Sequence, residues 1–385
     1  NPIRTTGDGY LLAWQAGAQL QDMEFVQFYP LGFAEPGFPI WFISLRSIDV
    51  APLTNAAGER FLEPLLVQWG IKNGREANLF ARDRAAVAIA RERRQGDVYL
   101  HLEKVPPENW QDQDLKGLLP LFPAWFPRRE KPVRVAPVQH YFAGGVTIDT
   151  DGWTGVPGLF ACGEVTGGVD GANRVGGNAL SNLTVFGLRA GRAAAECAQG
   201  AARGWPRSHL AAGETYPPKD GGSRAERASK PAGTPVREAG PFDSGGVFAG
   251  AALPELDPTS LVKRWLSRRD GTSPQELRDK INDLAERCLG PLRDEAGLRE
   301  AQRELSELWR LLGEISLHGS EDLLLALENR SLLFTAQLVA EAAWQREESR
   351  GVHYREDFPA ERTQWQRHIT LRGNRGRLQW GRKPV

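Results

Sequence analysis

One stretch of this chain narrows its fold more than any other: Gly158-Leu159-Phe160-Ala161-Cys162-Gly163-Glu164, continued by Gly171-Ala172-Asn173-Arg174-Val175-Gly176-Gly177-Asn178. A short apolar strand ending in Gly-Glu sets a carboxylate at the strand's carboxyl edge, where it can accept hydrogen bonds from ligand hydroxyls. The glycines let backbone approach a flat ligand, and the helix that follows turns its free first-turn N–H groups toward the same place. A glycine-rich turn before a helix also occurs as a plain tight turn. The continuation Leu183-Thr184-Val185-Phe186-Gly187 makes the run far more specific, and the whole predicts an α/β body with a helix over 179–198.

Around that run the chain reads as several pieces. A Gly7-Asp8-Gly9 turn opens an amphipathic helix, and Glu24 to Tyr29 reads as a strand ended by Pro30. Residues 31–75 are rich in Gly and Pro, with a hairpin signal at Asn55-Ala56-Ala57-Gly58; one helix is expected over 76–95 and a strand at 98–102. Residues 199–246, dense in Gly, Pro, Ser and charge, read as a linker. Ser273-Pro274-Gln275-Glu276 is a capping box with Pro at the first helical position. It opens three amphipathic segments, 274–289, 292–313 and 320–348, whose short connections imply an antiparallel three-helix bundle.

Composition excludes some functions. The 385 residues suffice for two or three domains, and 48 basic against 48 acidic residues leave no global field toward nucleic acid or an anionic membrane. No apolar run approaches the roughly 20 residues of a spanning helix, so no transmembrane segment is expected. Cys162, Cys197 and Cys288 stand far apart without ligand spacing, which argues against a metal site and for reduced thiols. The chain opens on Asn1, already close to motif-like sequence, and reads as a fragment.

At this point a resemblance emerges. The Gly158–Gly187 run is similar to the carboxy-terminal flavin-binding segment of the succinate dehydrogenase/fumarate reductase/L-aspartate oxidase flavoproteins. His140-Tyr141-Phe142-Ala143-Gly144-Gly145 resembles the family's His-Tyr-x-x-Gly-Gly motif. Thr6-Gly7-Asp8-Gly9, Glu24-Phe25-Val26-Gln27-Phe28 and Glu348-Ser349-Arg350-Gly351-Val352-His353-Tyr354-Arg355-Glu356-Asp357-Phe358-Pro359 resemble three further segments. No GxGxxG follows an amino-terminal strand, so the pyrophosphate-cradling turn that opens the family is missing from the expected fold. The resemblance implies an incomplete α/β FAD-binding domain (1–28 and 135–205) with an inserted α+β capping domain (29–134). A linker (206–249), an all-α three-helix bundle (250–348) and a carboxy-terminal extension (349–385) follow.

The resemblance also assigns roles. Asp8, Glu164, Ala179 and Leu180 would touch FAD; His140 and Arg174 would bind a substrate carboxylate. This suits a guanidinium fork and one further imidazole donor. Arg82, in Leu79-Phe80-Ala81-Arg82-Asp83-Arg84-Ala85-Ala86-Val87-Ala88-Ile89, matches the family's catalytic arginine. At helical spacing it shares a face with Leu79, Ala85, Ala86 and Ile89, where a charge needs a purpose unless it snorkels along the surface. With a pKa near 12.5 or above, arginine is loaded at any working pH and gives its proton only to something as basic as a nascent carbanion.

Three positions depart from the family pattern. Phe28-Tyr29-Pro30-Leu31 puts Tyr29 where a substrate-binding His is usual. Ile43-Ser44-Leu45-Arg46-Ser47-Ile48-Asp49 replaces an Arg-Gly-Glu-Gly-Gly segment, and Asp170 stands where a His is usual. Half of a dicarboxylate clamp is therefore absent. The expected function is an FAD-dependent oxidoreductase moving hydride between flavin and a small carboxylate, with an iron–sulfur partner, a quinone or oxygen as acceptor. An L-aspartate-oxidase-like enzyme and a non-catalytic electron-transfer scaffold are the alternatives. The expected location is cytoplasmic, free or peripheral to the inner face of the cell membrane.

Overall fold

The computed structural model describes residues 4–127, 130–199, 257–374 and 377–385. The expected linker at 206–249 lies outside these residues. The chain divides into two compact units, one made of Gln27–Tyr141 with Gly290–Leu292, the other of the described parts of Pro2–Val26, Phe142–Leu289 and Arg293–Val385.

The second unit holds the glycine-rich run. Its first helix is α1 (Asp8–Gln15), entered through Gly7 at φ 81°. A five-stranded sheet carries strand order β7-β6-β1-β8-β9. Here β1 is Leu20–Gln21, β6 Gly145–Thr147, β7 Thr166–Gly167, β8 Arg367–Asn374 and β9 Arg377–Pro384. Leu20 pairs with Val146 on one side and Leu371 on the other, so residues far apart in sequence meet across one short strand. The closing segment is thus a β-hairpin built into this sheet, where sequence reading had only an extension. Gly144 makes the close passage possible: a Cβ there would lie 1.9 Å from the carbonyl oxygen of Asp22.

The same unit contains α6 (Asn178–Gln199), α7 (Pro258–Ser267), α8 (Pro274–Cys288), α9 (Glu295–Leu312) and α10 (Ser320–Gln345). Ser273 caps α8 by accepting from Glu276 N at 3.0 Å, the arrangement the capping box predicts. Helices α8, α9 and α10 pack pairwise, and α7 is an addition the periodicity did not reveal. Trp265 of α7 is fully buried and donates its indole N–H to Leu312 O at 2.6 Å, locking α7 to the end of α9. Helix α10 is long and apolar enough to cross a membrane by length and composition, contrary to the sequence expectation. Two thirds of that stretch is buried, with α8, α9 and α1 packed on it, so its apolarity is that of a bundle's central helix.

The first unit is a four-stranded sheet of order β2-β5-β4-β3, with β2 Val26–Phe33, β3 Leu53–Thr54, β4 Val98–Leu100 and β5 Val133–Phe142. Strand β2 runs through Pro30 rather than ending there, which its position at the sheet edge permits. Asn55–Gly58 forms a turn, with Asn55 N on Glu59 O at 3.0 Å, but no hairpin: β3 pairs instead with β4, Leu53 opposite Leu100. Helix α4 (Arg82–Arg93) packs on β4, α2 (Leu62–Gln68) and α3 (Gly74–Phe80) pack on α4, and a short α5 (Gln113–Lys116) lies further on. Leu31, Ile43, Leu45, Ala77, Ala81, Ala85, Ile89, Val98 and Val135 form the core between them.

Candidate functional site

The helix expected over 76–95 is two helices broken at Ala81, whose φ of −140° leaves the helical region. The break changes the setting of Arg82. It stands at the first position of α4 instead of mid-helix, with Ala85, Ala86 and Ile89 buried behind it and Leu79 left exposed on α3.

Local contacts fix that break. Asn73 caps α3 by accepting from Glu76 N at 2.8 Å, and Glu76 returns to accept from Lys72 N at 3.0 Å. Gly74 lets α3 sit on the turn Leu45–Asp49; a Cβ there would be 2.7 Å from Leu45 O. Helix α3 then presents Asn78, which accepts the proton of the Tyr29 hydroxyl, while that oxygen accepts from Leu45 N at 3.1 Å.

Tyr29 is the centre of a cluster. It is 6% exposed, its ring meets His140 edge-on at 5.5 Å between centroids, and the Arg82 guanidinium carbon lies 5.9 Å from its centroid. Burial raises the phenol's pKa above its usual value, so it stays neutral. Beside Arg82, burial also raises the Asp83 carboxyl, against the pull of its own helix N–H groups and of Arg84 and Arg82. The structure thus brings Arg82, Tyr29 and His140 together. A separate cleft of about 460 Å³ in this unit, lined partly by Arg46, Ser47, Asp49 and Asp114, includes none of the three.

Arg174, Glu164, Asp8, Ala179 and Leu180 belong to the second unit. Glu164 follows Gly163, whose φ is 79°, and its carboxylate accepts from Phe142 N at 3.1 Å. Burial raises its pKa, opposed by that N–H and by Arg174. Asp8 is exposed, yet its two oxygens accept from Thr6 Oγ1 at 2.9 Å and from the Ser331 hydroxyl of α10. Asp170 accepts from the Asn178 side chain at 2.6 Å, bracing the start of α6. Ala179 is half-buried, and Leu180 is 70% exposed at the head of an apolar face continued by Leu183, Val185 and Leu188.

A buried ionic network holds the Arg174 loop, and sequence reading gave it no physical role. Gly351, at φ 55°, passes so close to the loop that a Cβ would be 2.1 Å from Ala172 O, and Val352 N donates to that oxygen at 3.0 Å. Next to it His353 is fully buried and accepts at Nδ1 from Arg293, which also donates to Glu24 O at 2.8 Å. Burial and the surrounding arginines keep His353 neutral, its pKa well below 6.5, and burial brings Arg293 down to about 10. Arg346, fully buried, donates to Glu24, to Glu348 at 3.1 Å and to the carbonyls of Trp365 and Arg367 at 3.0 Å. The alternation of Arg, Glu and His over 346–357 was the available signal for this network.

Comparison with known proteins fits this geometry. Residues 1–180 match the family model described as an FAD binding domain, and residues 278–385 match that of the fumarate reductase flavoprotein carboxy-terminal region. The chain is 34% identical over 384 residues to a fumarate reductase (CoM/CoB) component of Methanothermobacter marburgensis, covering 96% of this chain and 60% of that protein. It is 29% identical to the L-aspartate oxidase of a Synechocystis species, over 98% of this chain and 63% of the relative. Among solved structures, Mycobacterium smegmatis Sdh1 in complex with UQ1 superposes with a TM-score of 0.74 at 28% identity, covering all of this chain and 59% of that one. The chain spans about three fifths of the length of the curated relatives it matches.

The second unit's residues suit FAD. Asn182 is 3% exposed with both side-chain polar atoms unpartnered among the described residues, one turn into α6. Backbone beside Gly171, Gly177 and Gly187 faces open space. A carboxylate for hydroxyls, a buried amide with unmet hydrogen bonds and an apolar helix flank are what a large, partly flat, polyhydroxylated cofactor requires. The chain belongs to the succinate dehydrogenase/fumarate reductase/L-aspartate oxidase family of FAD flavoproteins.

Proposed function

We propose that this chain forms the catalytic part of an FAD-dependent oxidoreductase acting on a C–C bond beside a carboxylate. The observation that carries this reading is the Arg82–Tyr29–His140 cluster. A guanidinium at the start of a helix, set against the face of a neutral phenol and near an imidazole, is suited to hold a carboxylate-bearing substrate and to give its proton to a group as basic as a nascent carbanion.

Bound FAD would supply hydride-level, two-electron chemistry. In the reducing direction, Arg82 would donate the proton to one carbon of the double bond, while the hydride-level chemistry of the flavin would serve its neighbour. In the oxidising direction, Arg82 accepts that proton. His140 would hold the carboxylate beside Arg82, which fixes the reacting carbons and spreads developing negative charge. Glu164, Asp8, Ala179 and Leu180 line the cofactor. An iron–sulfur partner or a quinone would exchange the electron pair; solved structures titled with UQ1 and with menaquinol support the quinone. Peripheral attachment at the inner face of the membrane suits such an exchange.

A second reading, oxidation of a C–N bond, is supported by relatives named L-aspartate oxidase. Both are tested in the complete, flavin-loaded protein by following the flavin absorbance while small carboxylates and amino acids are added. Bleaching or reoxidation by one class selects that reading. A spectrum that responds to neither under reducing and oxidising conditions would leave a scaffold and remove the enzyme.

A further inference from the structure

Tyr29 offers no polar atom to a ligand that its own unit has not already engaged. Its hydroxyl proton goes to Asn78 and its oxygen receives Leu45 N, so what it turns toward Arg82 and His140 is a ring. That ring continues outward. Phe42 packs on it at 4.8 Å between centroids, and Trp41 stacks on Phe42 at 5.9 Å with 10° between planes. Phe42 is 44% exposed, Trp41 51% and Ile40 62%. These side chains are held in register by the main chain: Ile43 N donates to Leu31 O at 2.7 Å and Phe33 N to Trp41 O at 3.0 Å. The nearest cation along this stretch, Arg46, is engaged with Asp114 at 3.1 Å and Asp112 at 3.8 Å.

We propose that the substrate is a monocarboxylate carrying an apolar arm of aromatic size, its arm lying along the Tyr29–Phe42–Trp41 wall. The proposal rests on the reading of Arg82 and His140 given above. A second carboxylate laid on these apolar rings would lose water and receive no hydrogen bond from the rings themselves, which is unfavourable. An aryl or branched alkyl arm would instead cover the exposed Phe42 and Trp41 rings, which buried Tyr29 backs, and would stack on them.

The test is calorimetric binding to the complete, flavin-loaded protein, with 3-phenylpropanoate and succinate as probes, beside the rates at which 3-phenylpropenoate and fumarate reoxidise the reduced flavin. The aryl acids should bind and react at least about tenfold better than the dicarboxylates, the scale of one good aromatic contact. Trp41→Ala and, separately, Phe42→Ala should weaken 3-phenylpropanoate about tenfold and leave succinate within about twofold. Trp41 is 51% exposed and does not pack on Tyr29 as Phe42 does, so its variant remains informative if Phe42→Ala fails to fold. Tighter binding of succinate, or an aryl affinity that neither wall variant changes, would overturn the proposal. Arg82→Ala separates the two levels. If it weakens both acids while succinate binds better, only the apolar arm is refuted; if it weakens neither, the site itself is misassigned.

Discussion

Replacing Glu341 by Gln should change how stability depends on pH. Glu341 is 1% exposed on α10, and its one hydrogen bond among the described residues comes from Gln345 at 2.9 Å. Burial without a cation raises its carboxyl from 4.5 to about 7 in the folded chain. The folded state therefore holds this proton more tightly than the unfolded one. The resulting stabilisation is complete below pH 4.5 and is lost as pH rises through 7. A difference of this size corresponds to about 3 kcal/mol between the two ends of the window. Glu341→Gln keeps the shape and the acceptor but cannot ionise. Urea unfolding of wild type and variant at pH 5, 6, 7 and 8 measures the effect. The variant's stability relative to wild type should rise with pH by roughly 2–3 kcal/mol over this range, whatever its offset at pH 5. Parallel profiles would show that Glu341 reaches water or a partner, and would refute the reasoning.

The buried network makes a larger claim. Arg346→Met removes the cation shared by Glu24 and Glu348 and takes its donors from the carbonyls of Trp365, in the turn before the hairpin, and Arg367, at the hairpin's start, so it should destabilise by about 3–5 kcal/mol; a denaturant midpoint within error of wild type would contradict this. Limited proteolysis of the same variant should cut first between Gln366 and the carboxy terminus. Tyr29→Phe keeps the ring beside Arg82 and removes only the hydroxyl between Asn78 and Leu45 N. It should lower stability by about 1–2 kcal/mol and leave turnover within a few-fold, as measured by unfolding and flavin reoxidation; loss of turnover with stability intact would make the hydroxyl a ligand.

What was legible in the sequence followed from local chemistry. The capping box at Ser273, the turn at Gly7 and the helix after Gly177 each carry their instructions within a few residues and appear as read, whereas the strand expected before Glu164 does not form: Phe160 makes only an isolated bridge with Trp153, and Glu164 stands in a short 3-10 turn. The helix break at Ala81 was illegible because Leu79 to Ile89 holds neither Gly nor Pro, and the seat of α3 on the Leu45–Asp49 turn is a tertiary contact. The closing hairpin was missed because its partner is a strand of two residues, Leu20–Gln21, too short to show a period. Arg82 and His140 could be nominated from motif context alone. The partners of Tyr29 could not, since Asn78 and Leu45 reach it only through tertiary packing.

The central claim is that Arg82 transfers the proton, and one substitution tests it most directly. In the complete protein, Arg82→Lys retains a charge but loses the guanidinium's length and fork. The variant should keep its flavin absorbance and its carboxylate affinity within a few-fold. The rate at which substrate reoxidises the reduced flavin should fall by about 10²–10⁴-fold, the range expected on removing a positioned general acid. Turnover at the wild-type rate, with flavin fully bound, would reduce Arg82 to a surface cation on an aromatic ring and take the proposed chemistry with it.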